Sequence, residues 1–270
     1  MIGKLIKNEF KTSAHTMGMI YLAAAITVGL MLLAYLFDIG WISVVATIAL
    51  AIIGVVAVIV TFVCVVANFQ KTLFGNQGYL SFTLPVTTGQ LLASKAIVSF
   101  AWMLLSYIVG LGIFIGIYAY STAMIGDNVM TALKLLLNMF ADLPSEATIK
   151  FVVGALVFLV FLKMIMLIAQ LFFAITLSNT RSMQKFGAFA PIIIFFVLFI
   201  LMSVTSTALS NFVPVVLVVS LDGISMSFTE SMANSGSIAF GVAGTLFDIV
   251  ASAFLFVATA AIMDNKINIK

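Results

Sequence analysis

Charged side chains are scarce in this sequence. They make up 8% of its 270 residues, whereas apolar residues make up 64%. Ordinary soluble domains contain about 25% charged and about 45–50% apolar residues. A soluble fold of this size cannot bury so much hydrocarbon, because a small domain keeps a large surface relative to its volume. The composition therefore excludes an ordinary soluble domain and indicates an integral membrane protein.

Cysteine and histidine are nearly absent. The single cysteine, Cys64, excludes an intramolecular disulfide and a cysteine-based zinc cluster, and the single histidine, His15, excludes the paired-histidine motif of metalloproteases. The sequence also lacks the G-x-x-x-x-G-K-[ST] phosphate-binding loop and the G-x-S-x-G pattern of serine hydrolases. We therefore expect no catalytic residue, cofactor or metal in this chain, and no nucleic-acid partner.

Long apolar runs, in contrast, are abundant. A membrane-spanning helix needs about 20 mostly apolar residues. Six segments qualify: 17–37, 41–68, 96–120, 151–177, 186–206 and 238–263. They predict an all-α membrane protein with a single transmembrane domain over residues 1–270. The short connection Asp38-Ile39-Gly40 predicts that the first two spans form an antiparallel hairpin.

The basic residues predict the orientation, because cytoplasmic loops of membrane proteins carry an excess of lysine and arginine. With the N-terminus in the cytoplasm, nine basic residues lie inside and two outside. The inner set is Lys4, Lys7, Lys11, Lys71, Lys95, Arg181, Lys185, Lys266 and Lys270, and the outer set is Lys134 and Lys150. We therefore expect both termini in the cytoplasm.

Residues 1–16 precede the first span and carry three lysines. Ile2, Leu5, Ile6 and Phe10 fall near one helical face, with the lysines largely elsewhere. This pattern is typical of an amphipathic helix that lies in the membrane interface, with its lysines toward anionic headgroups. A basic leader that only sets the topology is the alternative.

Residues 69–95 form the longest predicted cytoplasmic stretch. Gly75-Asn76-Gln77-Gly78 is a turn signal, and the capping-box spacing of Thr87 and Gln90 predicts that the third helix starts near Thr88. Between them, Leu80, Phe82 and Leu84 are apolar but predicted to face water. Such residues mark a contact with another protein, or they fold back against the bundle.

Residues Asn211 to Leu221, between the fifth and sixth spans, are apolar but too few to cross a membrane. As a helix, eleven residues reach only about 16 Å. We expect a re-entrant outer segment, half inserted into the bilayer and shielded by other helices.

Lys163 and Asp248 are the two charges inside predicted spans. A charge at the bilayer centre costs at least about 2.5–3.5 kcal/mol, so such residues tend to pair within the protein. Both spans begin outside, and the two residues lie at depths of roughly 18 Å and 15 Å, so an intramembrane charge pair is predicted. The pair either lines a polar substrate path or fixes helix packing.

Gly112 and Gly116 form a G-x-x-x-G motif in the third span. This spacing lets helix backbones approach closely, so it marks a dimer face or an internal packing face.

Two stretches are similar to one known family. Residues 78–95, Gly-Tyr-Leu-Ser-Phe-Thr-Leu-Pro-Val-Thr-Thr-Gly-Gln-Leu-Leu-Ala-Ser-Lys, resemble the cytoplasmic segment between spans two and three of bacterial ATP-binding-cassette permeases of the ABC-2 type. Residues 1–11, Met-Ile-Gly-Lys-Leu-Ile-Lys-Asn-Glu-Phe-Lys, resemble the N-terminus of many such permeases. Lys163 and Asp248 are not part of this resemblance.

The resemblance implies a permease subunit in the bacterial plasma membrane. It implies dimerisation with a second copy or a paralogous permease, surrounding lipid, and docking on separate cassette ATPase subunits that bind ATP and Mg²⁺. The docking segment would include Tyr79, Phe82, Leu84 and Pro85, and the substrate would be a hydrophobic or amphipathic peptide, lipid or drug that is exported. A secondary carrier or channel using Lys163 and Asp248, and a membrane assembly subunit that transports nothing, are the alternatives.

Overall fold

A computed structural model of the chain describes residues 2–36, 40–75, 86–124, 146–180, 183, 186, 189–213, 215–220, 223–228 and 238–266. The chain divides into two compact units, Met1–Lys134 and Leu135–Lys270. Within the described residues, each unit contains three long helices that pack against one another.

The helices are the main elements of both units. The first unit contains α1 (Ile2–Leu36), α2 (Gly40–Leu73) and α3 (Thr88–Met124). The second contains α4 (Glu146–Ser178), α5 (Ala190–Phe212) and α6 (Val242–Lys266). These six helices of the described residues are long and apolar enough to cross a membrane. The prediction of a helical, multi-pass membrane protein is confirmed.

In the first unit, α1 and α2 run in opposite directions. Met17 of α1 lies beside Thr61 of α2, and Ala24, further along α1, packs against Leu50, further back on α2. Ile113 of α3 completes this core cluster. The antiparallel pairing is what the short connection at residues 38–40 predicts, because such a connection leaves two consecutive helices side by side.

The N-terminal residues belong to a single long helix. α1 continues through Thr16 without interruption, and no proline occurs between residues 2 and 36 to break it. Glu9 and Ser13 contact side chains of α2 and α3 rather than projecting away from the unit. The predicted separate interfacial helix over residues 1–16 is therefore not confirmed.

In the second unit, α4 and α6 run in the same direction. Met166 and Ala169 of α4 pack with Ala251 and Leu255 of α6, and Met202 of α5 lies against this cluster. α5 and α6 also approach each other closely. A Cβ at Gly244 would collide with Ser210 Oγ and lie 3.1 Å from the backbone oxygen of Ser206. A larger residue at position 244 would therefore force neighbouring atoms at this crossing to shift.

Three short strands join α5 to α6, an element that the sequence analysis did not predict. β1 (Val216–Ser220) pairs in antiparallel fashion with β2 (Gly223–Ser227) and β3 (Ile238–Gly241), giving the order β2-β1-β3. The predicted re-entrant segment from Asn211 to Leu221 is not confirmed: its first two residues end α5, and residues 216–220 form β1. The physical reason is the run Val-Leu-Val-Val, because β-branched side chains favour a strand that has partners.

Candidate functional site

The predicted ATPase-docking residues Tyr79, Phe82, Leu84 and Pro85 lie outside the described residues. The structure describes the chain on both sides of them. On the α2 side, the Gly75 amide donates to Gln70 O at 3.1 Å, and a Cβ at Gly75 would lie 2.7 Å from Lys71 O. A residue larger than glycine at position 75 would therefore collide with the last turn of α2. This explains the glycine at the start of the predicted turn.

On the α3 side, Thr87 caps the helix. The Gln90 amide donates to Thr87 Oγ1 at 3.3 Å, and the Leu91 amide donates to Thr87 O at 3.1 Å. The first bond satisfies an amide of the first turn that has no partner within the helix, and the second is the first bond of the helical series. The predicted start of α3 at Thr88 is confirmed.

A buried polar cluster joins all three helices of the first unit next to these two helix ends. Lys95 Nζ of α3 lies 2.5 Å from Glu9 Oε1 of α1 and 2.6 Å from Thr72 Oγ1 of α2. Asn68 Nδ2 of α2 donates to Glu9 Oε2 at 3.2 Å. Only 3% of the Lys95 side chain and 14% of the Glu9 side chain are exposed. We call Glu9, Asn68, Thr72 and Lys95 the polar clamp.

The polar clamp satisfies both charges from three directions. Glu9 receives a donor on each carboxylate oxygen, and the ammonium has an acceptor on two other helices. Charge-assisted bonds of this kind are about twice as strong as bonds between neutral groups. A buried ion pair that loses one partner leaves an uncompensated charge, which costs about 3–5 kcal/mol. The clamp therefore holds the three helices in one fixed arrangement.

Hydroxyl groups continue these contacts further along the helices. Trp102 Nε1 donates to Ser13 Oγ at 3.0 Å. Ser106 Oγ lies 2.7 Å from the Tyr21 hydroxyl and 2.6 Å from Thr61 Oγ1, so it links α1 and α2 through α3. Such bonds between apolar helices contribute about 0.6 kcal/mol each on average. They reinforce the packing that the clamp begins.

Sequence reasoning missed the polar clamp. In the sequence analysis, Lys95 falls among the cytoplasmic basic residues that set the topology, and no partner is predicted for Glu9. A signal was nevertheless present: Glu9 is the first acidic residue of the chain and the only one before Asp38. An acid that stands alone among lysines in an apolar helix needs a partner.

In the second unit, Lys163 and Asp248 lie together. Lys163 Nζ is 2.5 Å from Asp248 Oδ2, one turn from the apolar cluster of α4 and α6. The exposure of the two side chains differs sharply: 62% for Lys163 and 4% for Asp248. The carboxylate is thus enclosed by protein, whereas most of the Lys163 side chain lies at the surface of the chain near the middle of α4.

Gly112 and Gly116 lie on an open surface. No heavy atom of the described residues outside the helix's own backbone lies within 4 Å of a Cβ built at either position. Both line an apolar groove of about 350 Å³ with Tyr21, Ala24 and Val28 of α1. Within the described residues, the motif therefore forms no close helix contact, and its role as a dimer face stays a prediction.

Among the described residues, no group of three or more histidine, cysteine, aspartate or glutamate side chains is placed to hold a metal ion. Comparison with known proteins adds no relative: no family model, curated protein or solved structure matches this chain.

Proposed function

We propose that this chain is the permease subunit of an ATP-binding-cassette transporter of the ABC-2 type in a bacterial plasma membrane. It exports a hydrophobic or amphipathic compound, and separate subunits that bind ATP and Mg²⁺ drive it. The observation that carries the proposal is the polar clamp, which lies at both ends of the segment resembling the family's docking segment.

The clamp gives that segment a mechanical connection to the membrane helices. Thr72 is the residue before the last of α2, and Lys95 lies two turns into α3. The segment between the two helices is therefore flanked by two residues whose side chains bind each other. Both also connect to α1, since Lys95 binds Glu9 directly. A displacement of the segment by an ATPase would therefore move the three helices as one body.

Transport requires that ATP binding favour one of two conformations. A ligand with equal affinity for both conformations shifts nothing, however tightly it binds. In our proposal, ATP brings the ATPase subunits together, and their movement against residues 79–85 tilts α1 to α3 in two permease subunits. The substrate path then opens to the other side of the membrane.

The exposed side chain of Lys163 bears on the substrate path. An ammonium that faced acyl chains near the bilayer centre would cost at least about 2.5–3.5 kcal/mol. The 62% exposure of this side chain therefore favours contact with water, with substrate or with a second permease subunit. The buried carboxylate of Asp248 binds the Lys163 ammonium from the protein side and holds it in position.

Replacing an apolar docking residue with an acid tests the proposal. We expect Phe82→Asp and Leu84→Asp to insert normally but to lose both the co-purifying ATPase and transport, because a carboxylate cannot enter an apolar pocket without a partner. Phe82→Leu and Leu84→Met are the matched controls and should keep both. Normal ATPase capture and transport by the two acidic variants would contradict the proposal.

One observation favours a second candidate, a secondary carrier. Lys163 and Asp248 pair inside a membrane span, and ionisable groups at such positions often mark ion or proton pathways. Transport by the purified chain alone, driven by an ion gradient and abolished by Lys163→Met, would establish the carrier. Dependence on a co-purifying ATPase would exclude it.

A further inference from the structure

The three-stranded sheet lies directly next to the C-terminal end of α5 and the N-terminal end of α6. The Val242 amide, at the start of α6, donates to Val215 O at 3.0 Å. A Cβ at Gly241, the last residue of β3, would lie 3.2 Å from Ser210 Oγ in the last turn of α5. The row in which Val216 pairs with Ser227 and Gly241 is thus level with the ends of both membrane helices.

Large apolar side chains are exposed at this level. Phe212 is 85% exposed at the end of α5, Met226 in β2 is 69% exposed, and Phe228, directly after β2, is 77% exposed. We call the row of Val216, Ser227 and Gly241 the base row. Met226 lies one residue from it on the side away from the helices, and Phe228 lies one residue from it on the side toward the helices. At about 3.3 Å per residue, both lie within about 4 Å of the helix ends. Water is a poor solvent for three such side chains together.

The thickness of a bilayer places these residues in its interfacial layer. The hydrocarbon core is about 30 Å thick and the whole bilayer about 40–45 Å, which leaves about 5–8 Å on each side for headgroups. The exposed residues fall within that layer. The other end of the hairpin, where Ser220 pairs with Gly223, lies four residues beyond the base row, or about 13 Å, and extends past it.

The exposed surface of α5 indicates that lipid is what contacts Phe212, Met226 and Phe228. Leu201 lies eleven residues before Phe212, which returns to within about 20° of the same face of the helix. Leu201 is 54% exposed and Val197, one turn earlier, is 57% exposed. Phe212 therefore continues a helix surface of the kind that faces acyl chains along a membrane span.

We propose that Phe212, Met226 and Phe228 form a lipid anchor that inserts into the bilayer at the side where α5 ends and α6 begins. The anchor fixes the depth of both helices, because the base of the sheet is bonded to both. Val216 of the same row is only 3% exposed and turns toward the protein. The anchor requires only that α5 and α6 cross a membrane, so it does not depend on the proposed transport function.

Spin labels test the depth of the anchor. In the full chain with Cys64→Ala, single cysteines replace Met226, Phe228 or, as the control at the far end of the hairpin, Ser220. Each variant is labelled and reconstituted in phosphatidylcholine–phosphatidylglycerol vesicles at about one chain per vesicle. We expect the labels at 226 and 228 to collide more with oxygen, which partitions into lipid, than with a water-soluble nickel chelate, and the label at 220 to show the reverse ratio.

Two results would overturn the anchor. Collision with the nickel chelate at 226 and 228 equal to that at 220 would place these residues in water. In a second sample with many chains per vesicle, spin–spin broadening confined to 226 and 228 would show that a second copy covers them. Should a labelled variant fail to insert, hydrogen peroxide oxidation of Met226 in the unmodified chain decides: slow oxidation relative to added free methionine supports the anchor, and equally rapid oxidation overturns it.

Discussion

At the scale of single residues, the two ion pairs differ in how exposed the remaining charge would be after one partner is removed. In the polar clamp, Lys95 is buried and only 14% of the Glu9 side chain is exposed. In the other pair, Asp248 is enclosed and Lys163 is open to its surroundings. Because the cost of breaking an ion pair is mainly that of the charge left without a partner, the two pairs predict different patterns of mutational effect.

For the polar clamp, Lys95→Met should lower the free energy of unfolding by about 3–5 kcal/mol, because it leaves Glu9 buried and uncompensated. Lys71→Met is the matched control: that lysine is exposed in the last turn of α2, and its removal should change stability by about 0.5 kcal/mol or less. Thermal unfolding in detergent measures both.

The double variant Glu9→Gln/Lys95→Met completes this test. Removing both charges should restore most of the stability that Lys95→Met loses, since no buried charge then remains. A double variant as unstable as Lys95→Met would mean that the packing of Lys95, and not its charge, stabilises the unit.

For the other pair, the expected effect is asymmetric. Lys163→Met leaves a carboxylate enclosed by protein, whereas Asp248→Asn leaves an ammonium that can reach a polar phase. We therefore expect Lys163→Met to be the more destabilising, though by less than the roughly 3–5 kcal/mol of a fully buried pair. Equal melting temperatures for the two variants would contradict this order.

Charge reversal tests whether the pairing itself matters. Lys163→Asp and Asp248→Lys should each reduce the amount of folded protein, and the two changes together should restore it. The double reversal failing to rescue protein that still inserts would show that the two residues act through other partners.

At the scale of elements, the α5–α6 crossing depends on a glycine. Gly244→Ala places a Cβ against Ser210 Oγ and the Ser206 backbone oxygen, so we expect a loss of about 1–3 kcal/mol from overpacking. Adding Ser210→Ala should recover part of it, because it removes the closest of the three contacts and leaves those with Ser206 O and Ser206 Oγ, both at 3.1 Å.

Gly116→Ala in α3 is the matched control for this substitution. No heavy atom of the described residues outside the helix's own backbone would meet the added methyl group. Alanine is also the better helix former by about 1 kcal/mol, so the unit should be unchanged or slightly more stable. Equal destabilisation by Gly116→Ala would show that this face packs against another chain, as the predicted dimer requires.

Some elements are predictable from the sequence and others are not. The helices follow from uncharged runs, and the start of α3 follows from Thr87 and Gln90, because both signals are local. β1 was missed since a short apolar run does not distinguish a strand from a helix, and its partners lie at residues 223–227 and 238–241. The clamp was missed because Glu9 and Lys95 are 86 residues apart.

At the scale of the whole molecule, the orientation in the membrane is the central prediction. It rests on nine basic residues on one side against two on the other. In a Cys64→Ala background, a cysteine replacing Lys71 should react with a membrane-impermeant maleimide only after the cells are permeabilised, and one replacing Lys134 should react in intact cells. Labelling of the Lys71 position in intact cells would reverse the topology and remove the docking segment from any cytoplasmic ATPase.

The unbroken length of α1 has a mechanical consequence. Its 35 residues form a rod about 52 Å long, against a hydrocarbon core of about 30 Å. Such a rod is a lever: a rotation of about 10° about its far end carries the first turn through an arc of about 9 Å. Because the polar clamp joins α1 to α2 and α3, a small rotation of these three helices would thus become a large displacement of Lys4 and Lys7.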